Sequence, residues 1–199
     1  MLRAFVHDES GCREAGAVDP AWLQPGSNVV VWADIAEPGA EDGRVLAEVF
    51  GFHELSVEDA LSSIHHPKIE SYGAYLYLIL HGIDFRESEE RFATHDVDLF
   101  LGPNYLVTVH DGHSRSIAEQ YAVCVRNHTA MGEGPAALMH RIIDAMVDRY
   151  RPEVDKLDAR VDQLETQVFE HHAENPLRDL VRLKKDIASL RRVTLPQRD

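Results

Sequence analysis

Two adjacent carboxylates, those of Glu58 and Asp59, have the residue types and the spacing that could bind a cation. Magnesium prefers oxygen ligands and sheds water reluctantly, so one or two carboxylates with several retained waters suffice to hold it. The same acids make a poor acid-base pair, because neighbouring side chains on a helix diverge by about 100°. Ser56-x-x-Asp59 also fits a capping box, in which acids of the first turn only stabilise the helix. The pattern therefore predicts a weak cation site, a helix cap, or both.

A stripe of acidic residues lies farther along the chain, beside apolar residues with helical spacing. Its members are Asp155, Asp158, Asp162 and Glu165. They are one residue out of phase with the apolar positions, and one residue is about 100° of rotation, so the two stripes lie side by side on a helix. The pattern predicts either a solvated face beside a packing seam or an electrostatic surface that concentrates cations.

The twelve histidines do not form a strong zinc motif. His-Glu-x-x-His is absent, adjacent histidines on a strand point to opposite faces, and histidines at a helix end are explained by capping. The pairs concerned are His65-His66, His110-x-x-His113 and His171-His172. A zinc site is therefore not expected.

Composition narrows the function classes further. Cys12 and Cys124 lie far apart in the sequence without a Cys-x-x-Cys pair, so neither a thiolate zinc site nor a disulfide scaffold is predicted. The chain lacks a Gly-x-Ser-x-Gly elbow and a Gly-rich phosphate loop, so we do not expect an enzyme. The formal net charge of −14 argues against a nucleic-acid partner and favours small cations or simple solubility. No run approaches the roughly 18 to 20 apolar residues that span a bilayer, so the chain as written is expected to be soluble.

These residues must be positioned by a mixture of strands and helices. We expect strands at 28–33, 68–84, 97–101 and 105–110, and helices at 41–50 and 55–62. Gly102-Pro103-Asn104 has the chemistry of a tight hairpin loop, which makes its flanking strands antiparallel neighbours. The pattern predicts an α/β fold in αβα layers, with a mixed parallel and antiparallel sheet flanked by helices.

Long helices are expected after Gly134-Pro135. One is predicted from near Pro135 to near His171, with Pro152 as a point where it could kink. Its apolar seam is Val154, Leu157, Val161, Leu164 and Val168. A second helix carries Leu180, Leu183, Ile187 and Leu190 at the same spacing, and the short connection returns it antiparallel to the first. Residues 1–134 should form the mixed-sheet part, and residues 135–199 a long helical hairpin with the start of a further helix.

An ordered series of motifs indicates a family resemblance. Phe50-Gly51-x-His53-x-Leu55-x-x-Glu58-Asp59 is followed by Pro67-Lys68 and an apolar strand. The other motifs are Trp32-x-Asp34-Ile35, Thr108-Val109-His110, Ile143-Asp144-Ala145 to Tyr150, and Leu190-Arg191-Arg192 to Pro196-x-Arg198. In this order they resemble the cytoplasmic domain of the CorA family of divalent-cation channels over nearly the whole chain. The family often has Arg before Pro-Lys, whereas this chain has His65-His66.

The resemblance implies that Asp59, Glu58 and Asp144 supply carboxylates of regulatory magnesium sites. Their partner ligands would come from the stalk helix of a neighbouring subunit, past Asp199, and bound magnesium would hold a symmetric pentamer shut. In the isolated chain the site is expected to be empty or weakly hydrated. The chain would attach to the membrane through two missing transmembrane helices that carry a Gly-Met-Asn signature, and would lie at the cytoplasmic face.

Two other functions fit the same sequence. The related zinc-transporting branch shares this architecture, and nothing before the pore decides which ion passes. A soluble metal-responsive interaction module would instead use the helical hairpin to bind partner helices.

Overall fold

A seven-stranded mixed sheet organises the molecule. The computed structural model describes residues 2–24, 26–62, 66–86, 91–169 and 176–198, with the side chains at 84–86, 91, 92 and 198 left aside. The strands are β1 Leu2–Asp8, β2 Gly11–Ala15, β3 Val30–Ala36, β4 Lys68–Ser71, β5 Leu76–Arg86, β6 Arg91–Leu101 and β7 Tyr105–His110. Their order is β2-β1-β3-β7-β6-β5-β4, and among these strands only β3 and β7 pair in parallel. The predicted mixed sheet is confirmed.

Helices cover both faces of this sheet. They are α1 Ala40–Arg44, which continues as a π-helical turn Val45–Val49, α2 Glu54–Leu61, α3 Arg115–Arg126, α4 Pro135–Asp148, α5 Tyr150–Phe169 and α6 Pro176–Arg198. Side chains alternate along each strand, so Val31 and Ala33 face α2 whereas Trp32 faces α3 and α4. The first face is closed by apolar residues that include Val57 of α2, and the second by residues that include Ile142 of α4. The predicted αβα layers are confirmed.

Two predicted elements prove to be divided. The strand expected over residues 68–84 is the antiparallel pair β4 and β5, joined by a turn in which Tyr72 N–H donates to Tyr75 O over 3.0 Å. Gly73 makes this turn possible because its φ of 78° lies in the left-handed region that favours glycine. The single helix expected from Pro135 is α4 followed by α5, with a break at Arg149. Pro152 lies in the first turn of α5, where its missing N–H costs nothing, and the region around His171 lies outside the described residues.

Other elements match the predictions from the sequence more closely. α2 begins and ends within one residue of its predicted bounds. The β6–β7 hairpin is confirmed, and Gly102 N–H donates to Tyr105 O across its loop over 2.9 Å. The β1–β2 hairpin and α3 were not predicted.

The helical hairpin of α5 and α6 extends from the sheet. Leu157 and Leu183 are buried between the two helices, and Arg160 Nη1 donates to Asp186 Oδ2 over 2.7 Å. At the sheet, Tyr150 OH donates to His81 O over 2.6 Å and accepts a hydrogen bond from Gln197 Nε2 over 2.9 Å. These bonds fasten the start of α5 and the end of α6 to β5.

The predicted apolar seam of the hairpin is only partly buried. Val154 and Val161 of α5 remain 42% and 38% exposed, and Ile187 of α6 remains 45% exposed. The acidic stripe on α5 is exposed along its length, which both the solvated face and the cation-concentrating surface require.

Candidate cation site and adjacent cleft

The two acids of α2 lie at the opposite end of the helix from its N-cap. His53 is the N-cap, and its Nδ1 accepts a hydrogen bond from Leu55 N over 3.2 Å. Ser56 lies inside the helix and donates its hydroxyl hydrogen to His53 O over 2.8 Å. The predicted capping box at Ser56 and Asp59 is therefore wrong. Because Glu58 and Asp59 occupy the last turn, they lie at the negative end of the helix dipole, which favours a nearby cation.

Lys68 supplies one such cation to Asp59. Its Nζ lies 2.6 Å from Asp59 Oδ2 and 3.1 Å from Glu70 Oε2. Burial opposes the charge of Lys68, but its hydrogen bonds to these carboxylates raise its pKa above the ordinary value. The pair with Asp59 is partly exposed, so its net contribution to stability is small, about 0 to 1 kcal/mol. Asp59 thus has a counter-ion within its own chain.

The three predicted metal ligands are not brought together within one chain. Glu58 and Asp59 are neighbours on α2, and Glu58 is exposed. Asp144 is exposed on α4, which packs on the opposite face of the sheet. Across the described ranges, no cluster of three or more His, Cys, Asp or Glu side chains is arranged to hold a metal ion.

A cleft of about 560 Å³ lies beside the end of α2. It is bounded by that helix end, the carboxyl ends of β3 and β7, the adjoining part of β5 and β6, and the end of α6. Its polar lining includes Glu37, His66, His81, Asp96, Asp98 and Arg192. The backbone of Glu37 has a φ of 52°, an uncommon left-handed conformation for a residue with a side chain.

The floor of the cleft holds one buried acid, Asp98, and one half-buried acid, Asp96, which were not singled out from the sequence. Asp98 Oδ1 accepts a hydrogen bond from Tyr77 OH over 2.5 Å, and Asp96 Oδ1 lies 2.5 Å from His81 Nδ1. Burial raises the pKa of Asp98 to about 7, and the Asp96 charge acts in the same direction, while the bond from Tyr77 opposes the shift. A signal was present, since Asp96 and Asp98 flank Val97 where the apolar second half of this strand begins.

A second polar chain ties β3 to β7 on the other face of the sheet. Trp32 Nε1 donates to Thr108 Oγ1 over 3.1 Å, and Thr108 Oγ1 donates to Asp34 Oδ1 over 2.5 Å. His110 Nε2 lies 3.2 Å from the same carboxylate oxygen. Asp34 and Thr108 are direct partners in the parallel register. The motifs Trp32-x-Asp34-Ile35 and Thr108-Val109-His110 therefore have a structural role, since they fix the one parallel pairing among the described strands.

The histidine pairs of the sequence do not converge. His110 is buried against Asp34, whereas His113 is exposed. His66 is exposed at the mouth of the cleft. His65, His171 and His172 lie outside the described residues.

The fold and the acidic helix end define a class of protein, namely αβα-layered domains that carry a long antiparallel helical hairpin. The chain belongs to the CorA family, because the family model described as "CorA-like Mg2+ transporter protein" matches residues 27–199. YfjQ of Bacillus subtilis is 27% identical over 168 residues, which are 84% of this chain and 51% of that relative. The chain thus spans about half the length of this curated relative.

Solved structures share the fold. The soluble domain of CorA from Methanocaldococcus jannaschii matches 98% of this chain and 76% of its own, with a TM-score of 0.79 and 14% identity. The ZntB cytoplasmic domain from Vibrio parahaemolyticus matches 98% of this chain and 75% of its own, with a TM-score of 0.72 and 16% identity. None of the helices in the described segments combines the length and apolarity required to cross a membrane.

Proposed function

We propose that this chain is the cation-sensing domain of a CorA-like divalent cation transporter and lies at the cytoplasmic face of the membrane. Family membership supports the transporter class. The observation that carries the sensing role is the position of Glu58 and Asp59 in the last turn of α2, where a cation relieves an unfavourable dipole interaction. Lys68 is the resident cation of the single chain, and magnesium with its retained waters competes for the same carboxylate.

The proposed mechanism is a bridge between subunits of a pentamer. Magnesium at Asp59, with help from Glu58 or Asp144, joins an acid of the neighbouring subunit and holds the assembly closed. When magnesium falls, the unscreened carboxylates repel one another and the subunits shift. Because α2 and α4 pack on opposite faces of the sheet, a cation that joins Asp144 to the α2 acids must lie between two copies. Contacts between unlike faces repeat around a ring, as a closed pentamer requires.

The test is magnesium-dependent protection of the full-length protein from proteolysis. Asp59→Asn should raise the magnesium concentration needed for protection by about tenfold, since it removes one charged ligand. Glu70→Gln is the matched control, because Glu70 also pairs with Lys68 but belongs to β4 and is not one of the proposed ligands. Equal protection of Asp59→Asn and the unmodified protein would remove Asp59 from the sensing role.

Zinc is the second candidate for the transported ion. The shared fold with the Vibrio ZntB cytoplasmic domain supports it, although that likeness concerns the fold alone. Competition between magnesium and zinc fluxes through the full-length protein separates the two ions. A soluble metal-responsive module is the remaining alternative, and a native gene without two later spans of about 20 apolar residues would favour it.

A further inference from the structure

The α5–α6 hairpin carries most of the large apolar side chains that the molecule exposes. Among the described residues, nine of the sixteen exposed large apolar side chains belong to these two helices. They are Val154, Val161, Val168, Phe169, Leu177, Leu180, Val181, Ile187 and Leu195. Phe169 at the end of α5 and Leu177 at the start of α6 are 75% and 71% exposed. Single exposed apolar residues are ordinary, but this many on one hairpin mark an interaction surface.

Charge is distributed unequally between the two helices of the hairpin. In a chain with a formal net charge of −14, α6 carries seven Lys or Arg residues and only two acids. On α5, which carries the acidic stripe, five of the eight charged residues are acids. The hairpin therefore presents one basic and one acidic helix, and a partner with complementary charge is another hairpin of the same kind.

The acidic face of α5 and the outward face of α6 cannot meet within one chain. Asp155 lies two residues, about 200° of rotation, from the buried Leu157, and Arg191 lies equally far from the buried Val193. Both charged side chains are exposed, and no ion pair joins either of them to another of the described residues. The two faces point away from the seam between the helices, so a second molecule is needed to join them.

The two faces are nevertheless level along the hairpin. Arg160 of α5 pairs with Asp186 of α6 over 2.7 Å, which fixes the relative height of the antiparallel helices. Five residues from this pair toward the sheet, Asp155 is level with Arg191, because both helices rise equally per residue. Two hairpins that lie side by side at the same height would therefore bring an acid of one opposite a base of the other.

We propose that the hairpin binds side by side to the hairpin of a second copy of this chain, with the acidic face of α5 against the outward face of α6 in the neighbour. At the sheet end, Asp155 pairs with Arg191 of the neighbouring copy. Phe169 and Leu177 lie fourteen residues, or two heptads, farther along the same faces, so they pack together at the tip. Each copy offers one face of each kind, so the contact repeats from copy to copy and closes a ring where the rotation allows. The contact needs no metal, and it goes beyond the proposed cation sensing.

The experiment is sedimentation velocity of the 199-residue chain in a chelator. We expect an average mass above that of the monomer, rising with protein concentration up to about 0.5 mM. Asp155→Lys and Arg191→Glu should each raise the dissociation constant by about three- to tenfold, because each turns an attraction into a repulsion. A monomer at every concentration would overturn the proposal, and it would leave the sensing role of Asp59 untouched because no metal is present.

The two variants also separate a specific contact from general repulsion between acidic copies. Asp155→Lys makes the chain less negative and Arg191→Glu makes it more negative, so an effect of net charge alone would move the two dissociation constants in opposite directions. Glu9→Lys, in the exposed turn between β1 and β2 at the other edge of the sheet, is the matched control and should not weaken association. The double variant Asp155→Lys/Arg191→Glu should recover association to within about twofold of the unmodified chain. Opposite shifts in the single variants, or no recovery in the double variant, would each overturn the pairing.

Cysteine cross-linking tests the proposed register at the tip. A mixture of Phe169→Cys and Leu177→Cys chains should form mixed disulfide-linked dimers faster than either variant links to itself, because the two positions face each other between copies. The native Cys12 and Cys124 are buried and do not compete. Self-linked dimers as the main product would mean that like faces meet, which contradicts the register.

An anionic lipid surface is the other partner that suits a basic helix with exposed apolar residues. Flotation of the chain with phosphatidylserine vesicles tests it. We expect no binding that depends on Arg191. A chain that stays monomeric, binds these vesicles and loses that binding in Arg191→Glu would assign the outward face of α6 to a membrane and overturn the proposal.

Discussion

Two neighbouring groups of carboxylates, one at the end of α2 and one on the floor of the cleft, differ in their environment. At the end of α2, Glu58 is exposed and Asp59 is partly exposed, with Lys68 as a counter-ion. On the floor of the cleft, Asp98 is 5% exposed, and burial raises its pKa to about 7. The same type of side chain is thus suited to exchange cations in one place and protons in the other. Accessibility, and not residue identity, makes the difference.

Tyr77 connects the two groups. Lys68 Nζ lies 5.4 Å from the centroid of its ring, and its hydroxyl donates to Asp98. The Asp59 charge contributes to raising the pKa of both Tyr77 and Asp98. A cation that neutralises Asp59 should therefore favour ionisation of Asp98, so we expect cation binding at α2 to promote proton release in the cleft.

The largest expected effect concerns Asp98→Asn. The pKa of Asp98 is higher in the folded chain, about 7, than its ordinary 3.8, so folding favours the protonated form. Its contribution to stability is fully present below about pH 4 and is lost as the pH rises through 7. The difference corresponds to on the order of 4 kcal/mol. Asn cannot ionise, so urea unfolding from pH 4 to 8 should show the unmodified protein losing stability relative to the variant.

Asp59→Asn is the control for that series. Its carboxylate is partly exposed and paired with Lys68, so the variant should show no comparable divergence as the pH rises from 4 to 8. Parallel stability curves for Asp98→Asn and the unmodified protein would remove the contrast between the two carboxylate groups.

The next effect concerns Tyr77→Phe, which deletes the hydroxyl that donates to Asp98. Loss of a buried hydrogen bond should lower the free energy of unfolding by about 1 to 3 kcal/mol. The cost should be greater at pH 8 than at pH 5, because the bond favours the ionised carboxylate. Tyr105→Phe removes another hydroxyl from the same apolar layer, but away from Asp98, and should cost less. Equal costs at both pH values would show that Asp98 does not ionise in this range.

Local patterns predicted local structure well. The β6–β7 hairpin and α2 followed from the chemistry of Gly102-Pro103-Asn104 and from helical spacing. The break at Arg149 was missed because the apolar spacing continues across it, although α4 packs on the sheet and α5 leaves it. The division at Gly73 was missed because strand-like residues flank the turn on both sides.

The sites were harder to predict than the elements. Glu58 and Asp59 could be identified from their spacing, but their position at the end of α2 depends on where the helix begins at Glu54. The cleft draws its lining from several strands and helices, so no single stretch of sequence reveals it. The burial of Cys12 and Cys124 in one apolar cluster arises in the same way, from the packing of helices against the sheet.

The smallest expected change in stability concerns Lys68→Met, which removes the counter-ion of Asp59 and keeps much of the apolar stem. Exposed and partly exposed ion pairs contribute about 0 to 1 kcal/mol, so unfolding should change little. Magnesium affinity should instead increase, because the metal no longer competes with an ammonium group 2.6 Å from the carboxylate. Calorimetric titration with magnesium measures this, and Lys184→Met, which removes the same charge from exposed α6, controls for net charge. Weaker binding in Lys68→Met than in Lys184→Met would mean that Lys68 organises the site and does not compete for it.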